Sequence, residues 1–215
     1  DEAYPAMLEA IAVARGHVFL ATYIFNAGHT GTAFTEALAA AAARGVDVRV
    51  LVDGIGTFYS WRKPWKKLAA RGVKVALFLS PKFFPPNLSI NLRNHRKVLV
   101  CDDIGFTGGM NISDDNIQSG RKSCVQDVHF RCVGPIVNQL RRAFLLNWGF
   151  CTGEYTPLPP GSGQARGESH CRIVMDGPGN DADILNDLFC GTANTARRSV
   201  RIMTPYFLPT HDLMA

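Results

Sequence analysis

Within this 215-residue chain the residues best suited to chemistry lie between positions 94 and 111. His95 and Lys97 stand two apart, just before Val98-Leu99-Val100-Cys101, an apolar run rich in β-branched residues that predicts a buried strand. Side chains two apart on a strand share a face, so the imidazole and the ammonium are expected to project together. One is a nucleophile or proton carrier, the other a fixed positive charge. Asp102 and Asp103 predict a turn, Phe106-Thr107 opens a returning strand, and Gly108-Gly109-Met110-Asn111 follows. Glycines there let backbone N–H groups approach an anion, and Asn111 adds a donor. Such a hairpin would hold a phosphate against an imidazole, with Lys97 as the counter-charge. No grouping of His, Cys, Asp or Glu has metal-ligand spacing, so neither a metal nor another cofactor is expected.

The elements that must position these residues follow from periodicity. Residues 4–16 predict an amphipathic helix carrying Met7, Leu8, Ile11 and Val13, and His17 to Phe25 predicts a strand. A helix over about Gly31 to Ala43, a strand over Val46 to Asp53, a short basic helix at Trp65 to Ala70 and a strand at Val73 to Leu79 come next. The alternation implies an α/β layer with parallel strands. Gly54-Ile55-Gly56 is not a dinucleotide loop, because no third glycine opens a helix after it. Ser80 to Asn87 carries three prolines and reads either as an apolar lip for acyl chains or as a rigid connector. Trp61, Arg62, Lys63, Trp65, Lys66 and Lys67 form either a membrane-facing patch or a solvated helix face, the latter favoured. Gln126 to Val133 alternates as a strand, with Asp127 and His129 on one face, and a helix runs from Gly134-Pro135 to Trp148.

Residues 154–170 are rich in Pro, Gly and Ser and read as a linker. Beyond it, Arg172 to Met175 predicts a strand, Asp181 to Thr195 a helix and Ser199 to Phe207 another strand. Val18, Leu20, Thr22 and Phe25 reappear as Val200, Ile202, Thr204 and Phe207, each 182 residues later, so residues 171–215 are expected to begin a second copy of the domain in residues 1–153. A second His-x-Lys at that offset would fall near position 277, past the last residue of the chain.

Composition sets the outer limits. Hydrophobic content of 47% and charged content of 19% are those of a globular protein. A net charge of +5 suits an acidic partner, anionic lipid or nucleic acid. The six cysteines show no C-x-x-C pair, which favours buried reduced thiols and the cytosol as default compartment. No segment has the apolar length of a membrane span, and the start at Asp1 rather than Met is expected of a processed or excised chain.

The whole pattern of His-x-Lys, four residues, Asp, a short turn and Gly-Gly-x-Asn resembles the signature of the phospholipase D superfamily. The wider stretches Asn91 to Val100 and Phe106 to Ile112 are most similar to its cardiolipin synthase branch. The turn between Asp102 and Gly108 is a residue shorter than usual, and Gly109 stands where many relatives have Ser. The resemblance implies a mixed sheet flanked by helices, one repeat complete and the second truncated. It also implies metal-independent phosphodiester transfer through a phosphohistidine. In that scheme His95 attacks phosphorus, Lys97, Gly109 and Asn111 hold the phosphate oxygens, and Asp102, the motif's acid, braces the hairpin. Asp127 orients the histidine of a second motif, supplied by a missing C-terminal half or a dimer partner. The implied substrate is an anionic phospholipid, phosphatidylglycerol above all, reached at a membrane surface on the cytoplasmic face, and nucleic acid is not expected. The alternatives are a hydrolase or nuclease of the same superfamily, and a catalytically silent module that binds anionic lipid.

Overall fold

A strand that is apolar on both faces is stable only where both faces are covered. His17–Thr22 (β1) is of that kind, with five of its six residues buried. In the computed structural model it follows α1 (Ala3–Val13) and leads into α2 (His29–Ala43), β2 (Asp47–Asp53), α3 (Pro64–Ala70) and β3 (Lys74–Phe78). A short ladder of β4 (Lys82–Phe83) and β5 (Pro86–Asn87) precedes β6 (Val98–Cys101), β7 (Ile104–Gly108), β8 (His129–Val133) and α4 (Ile136–Thr152). The structure describes residues 2–60, 62–80, 82–83, 86–87, 93–117, 125–158, 164–175, 184–202, 204 and 210–214. They belong to two units, residues 1–171 and 172–215.

In the first unit six strands form one mixed sheet in the order β3-β2-β1-β6-β7-β8. The pairs β1·β2 and β2·β3 are parallel and joined through helices, whereas β1·β6, β6·β7 and β7·β8 are antiparallel. Val18 and Leu20 of β1, Val50 of β2 and Leu99 of β6 join Met7, Ile11, Phe34 and Leu38 in one core cluster under α1 and α2. On the other face Phe19 stacks on Phe144 of α4 with ring centroids 5.0 Å apart. Helices therefore cover both faces of the sheet, as the α/β reading requires.

The topology gathers chain ends at one edge. The C-terminal ends of β1 and β2, the N-terminal end of β6, the C-terminal end of β7 and the N-terminal end of β8 all meet there, because β6 and β8 run against their neighbours. That edge is where open α/β sheets place ligands.

Several expectations need correction. In the second unit α5 (Ile184–Thr195) and α6 (His211–Met214) form, but the described parts of Arg172–Met175 and Ser199–Phe207 are not strands. A strand needs a neighbour for its backbone N–H and C=O groups, and the described residues of this unit offer none. Its helix α5 has no buried residue. The reading favoured for the basic helix stands: Trp65 is 5% exposed and belongs to the core, and Lys66 and Lys67 lie on a solvated face. Of the described cysteines only Cys101 is buried, and Cys171 is exposed. The apolar lip expected at Ser80 to Asn87 lies, apart from the backbone of the β4·β5 ladder, outside the described residues.

Candidate active site

Strand β6 begins at Val98, so His95 and Lys97 lie in the segment ahead of it and not on the strand itself. The β1·β6 ladder ends at the Ala21–Val98 pair, and beyond it the chain leaves the sheet. The ring of Tyr23, one residue past the end of β1, brings the two side chains together instead. His95 stacks on it with centroids 4.1 Å apart and 29° between the planes. The Lys97 Nζ lies 5.6 Å from the same centroid and donates a hydrogen bond to the His95 carbonyl at 2.8 Å. Tyr23 is 6% exposed, whereas His95 stands open to solvent.

Beneath this segment sits Asp53, the last residue of β2 and 1% exposed. Its Oδ2 accepts the Asn94 N–H at 2.6 Å, while its Oδ1 accepts those of Ile55 and Gly56, each at 2.9 Å. A carboxylate so held pins the backbone next to His95. Burial and then the Lys97 charge lower the His95 pKa below the ordinary imidazole value, partly opposed by Asp53. Burial also lowers the Lys97 pKa, with Asp127 and Asp53 opposing it. A neutral imidazole beside a cation is the pairing a nucleophile for phosphorus requires.

The segment after β7 is stitched to the segment after β1. Ile24 N–H donates to Asn111 Oδ1 at 3.1 Å, Ile112 N–H to the Ile24 carbonyl at 3.1 Å and Asn26 N–H to the Ile112 carbonyl at 2.9 Å. The buried Tyr4 hydroxyl of α1 lies 2.5 Å from the Asn111 carbonyl oxygen and 3.0 Å from that of Ser113. Asn111 is thus fixed by its oxygen, and among the described residues its Nδ2 donates to no protein group. Gly109 departs from expectation. Its N–H donates to the Val128 carbonyl at 3.1 Å, so the sheet has taken the donor meant for phosphate. What Gly109 provides is space, since a Cβ there would collide with the Asp127 carboxylate.

Asp127 is exposed and takes a hydrogen bond from the Val128 N–H at 2.8 Å. Two residues on, His129 turns inward, and both of its ring nitrogens are buried without a partner among the described residues. Burial and then the Lys97 charge bring its pKa down to about 4, with Asp127 opposing. His129 therefore stays neutral beside Lys97.

Asp102 is not brought to this edge. It sits at the far end of β6 with φ of +47°, and its carboxylate accepts the N–H groups of Arg15, Gly16 and His17 at 2.8 to 2.9 Å. It closes the α1–β1 junction and the β6–β7 turn. The spacing that counted it with the site reflects strand length, four residues of β6 separating the two ends of the sheet.

Tyr23, Asp53 and Tyr4 escaped the sequence reading. Asp53 had a usable signal, an acid at the C-terminal end of a parallel strand. Tyr23 and Tyr4 had none, because their roles depend on which segments the fold stitches together.

The sequence profile described as "Cardiolipin synthase, PLD-like domain" matches residues 7–148. The "Cardiolipin synthase" of Alkalihalophilus pseudofirmus is 31% identical over 220 residues, covering 100% of this chain and 44% of the relative. The "Major cardiolipin synthase ClsA" of Bacillus subtilis is 32% identical over 218 residues, covering 98% and 45%. This chain thus spans less than half the length of those relatives. Among solved structures, "NucT from Helicobacter pylori" superposes with a TM-score of 0.51 at 21% identity, covering 67% of this chain and 84% of that one, and shares the fold. The His95-to-Asn111 motif and the profile match over about two thirds of the chain lead to one conclusion: this chain belongs to the family of cardiolipin synthase phospholipase D-like domains.

Proposed function

We propose that this chain carries one half of the active site of a phosphatidyltransferase that joins anionic phospholipids through a phosphohistidine. The observation that carries the reading is the solvent-facing His95 held against Tyr23 beside the ammonium of Lys97. A ring nitrogen of His95 attacks phosphorus, the P–N bond forms and the bond to the leaving alcohol breaks. Lys97 and the Asn111 Nδ2 stabilise the charge on the non-bridging oxygens. The leaving oxygen needs a proton, and a second histidine supplies it, from the rest of a longer protein or from a second copy of this chain. In the return step the hydroxyl of a second phosphatidylglycerol attacks phosphorus, the P–N bond breaks and the same histidine accepts the proton.

Asp127, exposed at the edge beside Lys97, orients that second histidine and fixes its tautomer. Residues 1–153 form the first domain, 154–170 the linker and 171–215 the opening of the second repeat, for which the 182-residue recurrence is the support. The reaction takes place at a membrane surface, on its cytoplasmic face. Among the described residues no helix is long and apolar enough to cross a bilayer.

The test uses the complete protein with labelled phosphatidylglycerol, phosphatidylcholine and an oligonucleotide, products being separated by thin-layer chromatography. Wild type should make a product with two phosphatidyl groups and release glycerol, and a quench should trap acid-labile, alkali-stable label. His95→Asn should lose both while keeping its fold. Hydrolysis as the sole outcome would place water as acceptor, and binding without any turnover would mean a silent lipid module.

A further inference from the structure

A cleft of about 440 Å3 opens beside the His95 cluster. Tyr59 lines it, and the Tyr59 ring lies 6.1 Å from that of Tyr23, the ring on which His95 stacks. Its polar wall comes from Asn26, Ser60, Arg62, Ser113, Asp114 and Asp115.

Two of these residues carry an oxygen that the protein leaves unsatisfied. Asn26 Oδ1 and Ser60 Oγ are buried without a hydrogen-bond partner among the described residues, and Ser60 as a whole is 5% exposed. Asn26 is not loose, since its Nδ2 donates to Ser113 Oγ at 3.0 Å, which fixes the amide with its acceptor end unused. Buried acceptors lacking a donor are rare in folded proteins, so two along one cleft mark a place where an outside donor arrives.

The polar groups of the cleft select among donors. Among the described residues Asp114 gives it a carboxylate and Arg62 a guanidinium, so acceptors and a donor line one space. Asp114 is held in place by the N–H groups of His29 and Thr30 at 2.8 and 2.7 Å, so its charge cannot swing away. Hydroxyl groups fit, because each donates to an amide or carboxylate oxygen and accepts from a guanidinium.

We propose that this cleft binds the polyol end of a lipid headgroup, its glycerol hydroxyls, while the phosphorus sits at His95. The inference rests on the transferase reading for the position of phosphorus, but the recognition of hydroxyls rests on the cleft alone. Phosphate and glycerol would then be read by two adjoining surfaces, one around Lys97 and one around Asp114.

The experiment is an amide NMR titration of the 215-residue chain with glycerol and, separately, with inorganic phosphate. Glycerol should shift Ala27, Gly28, Ser60 and Ser113, and phosphate should shift His95 and Lys97. Ser60→Ala should weaken the glycerol response roughly 2- to 10-fold, the worth of one hydrogen bond. Ala27→Leu, which fills the cleft from a half-exposed position, should abolish it. Glycerol that moves none of these amides, or moves them equally in both variants, overturns the proposal. If glycerol binds and phosphate does not touch His95, the phosphoryl-transfer reading fails and the polyol cleft stands. The reverse result removes the cleft and leaves that reading intact. In the complete enzyme two outcomes would each support the site and tell its occupant apart. A lower ratio of transfer to hydrolysis in Ser60→Ala marks the acceptor, and a lower kcat/KM for the donor marks the leaving group.

Discussion

Tyr23 gives His95 what a strand was expected to give, a fixed orientation next to Lys97. Removing that ring uncovers the one face of the imidazole that is stacked, and the first effect should be on its pKa, which this partial desolvation now lowers. Tyr23→Leu should raise the His95 pKa toward the ordinary imidazole value and slow turnover about 3- to 10-fold, matching the ~0.5–1.5 kcal/mol of an aromatic pair. Tyr23→Phe should keep both, and NMR titration of the imidazole distinguishes the two. His129 makes a second, separate prediction. Its folded pKa of about 4 lies below the ordinary histidine value, so the unfolded chain takes up a proton first as pH falls. The stability present above about pH 6.5 is therefore lost between there and pH 4, by up to ~1.4 kcal/mol per pH unit from this group. His129→Leu should flatten that slope in urea unfolding at pH 7 and pH 5. It should not erase it, because His17 and His95 are shifted the same way.

At the scale of elements the site depends on two anchors well away from its chemistry. Tyr4 of α1 ties down the carbonyl groups of Asn111 and Ser113, so Tyr4→Phe should cost about 1–3 kcal/mol, chiefly through the Asn111 carbonyl, since that of Ser113 also accepts the Asn116 N–H. It should also lower turnover through a displaced Asn111, seen as a fall in kcat with the fold retained. Asp102 holds three backbone N–H groups at the opposite end of the sheet, in a left-handed conformation that, after glycine, Asp and Asn tolerate best. Asp102→Ala should destabilise the protein by roughly 2–4 kcal/mol. Asp102→Asn should recover part of that. In both variants the folded fraction should turn over at the wild-type rate, and activity normalised to native protein by circular dichroism checks it. A large loss per folded molecule would return Asp102 to the catalytic set.

For the molecule as a whole, one motif leaves the proposed reaction short of an acid. The 215-residue chain by itself should be slower than the complete enzyme by roughly the 10²–10⁴-fold credited to a positioned proton donor, unless two copies pair. Light scattering run alongside a phosphodiesterase assay tests this, and a strictly monomeric chain at the full enzyme's rate would sink the two-motif argument. Lys97 already supplies the counter-charge that a metal would bring. Activity of the complete protein should therefore survive prolonged EDTA, and restoration by a single divalent ion would contradict the mechanism.

The amino-acid sequence alone determined the α/β class, the order of helices and strands through α4 apart from the short β4·β5 ladder, and the motif from His95 to Asn111. Those features are local, written in periodicity, glycine placement and residue type. Tertiary structure decided which of the motif residues meet. His95 and Lys97 share a site because the chain leaves β6 over Tyr23, and Asp102 is excluded because four strand residues carry it to the other end of the sheet. Gly109 lost its N–H to Val128 because β8 pairs there, a long-range choice that nothing near Gly109 encodes. The strands expected at Arg172 and Ser199 show the same limit from the other side. Their β-forming composition is real, but a strand exists only with a partner, and partners are assigned by the fold.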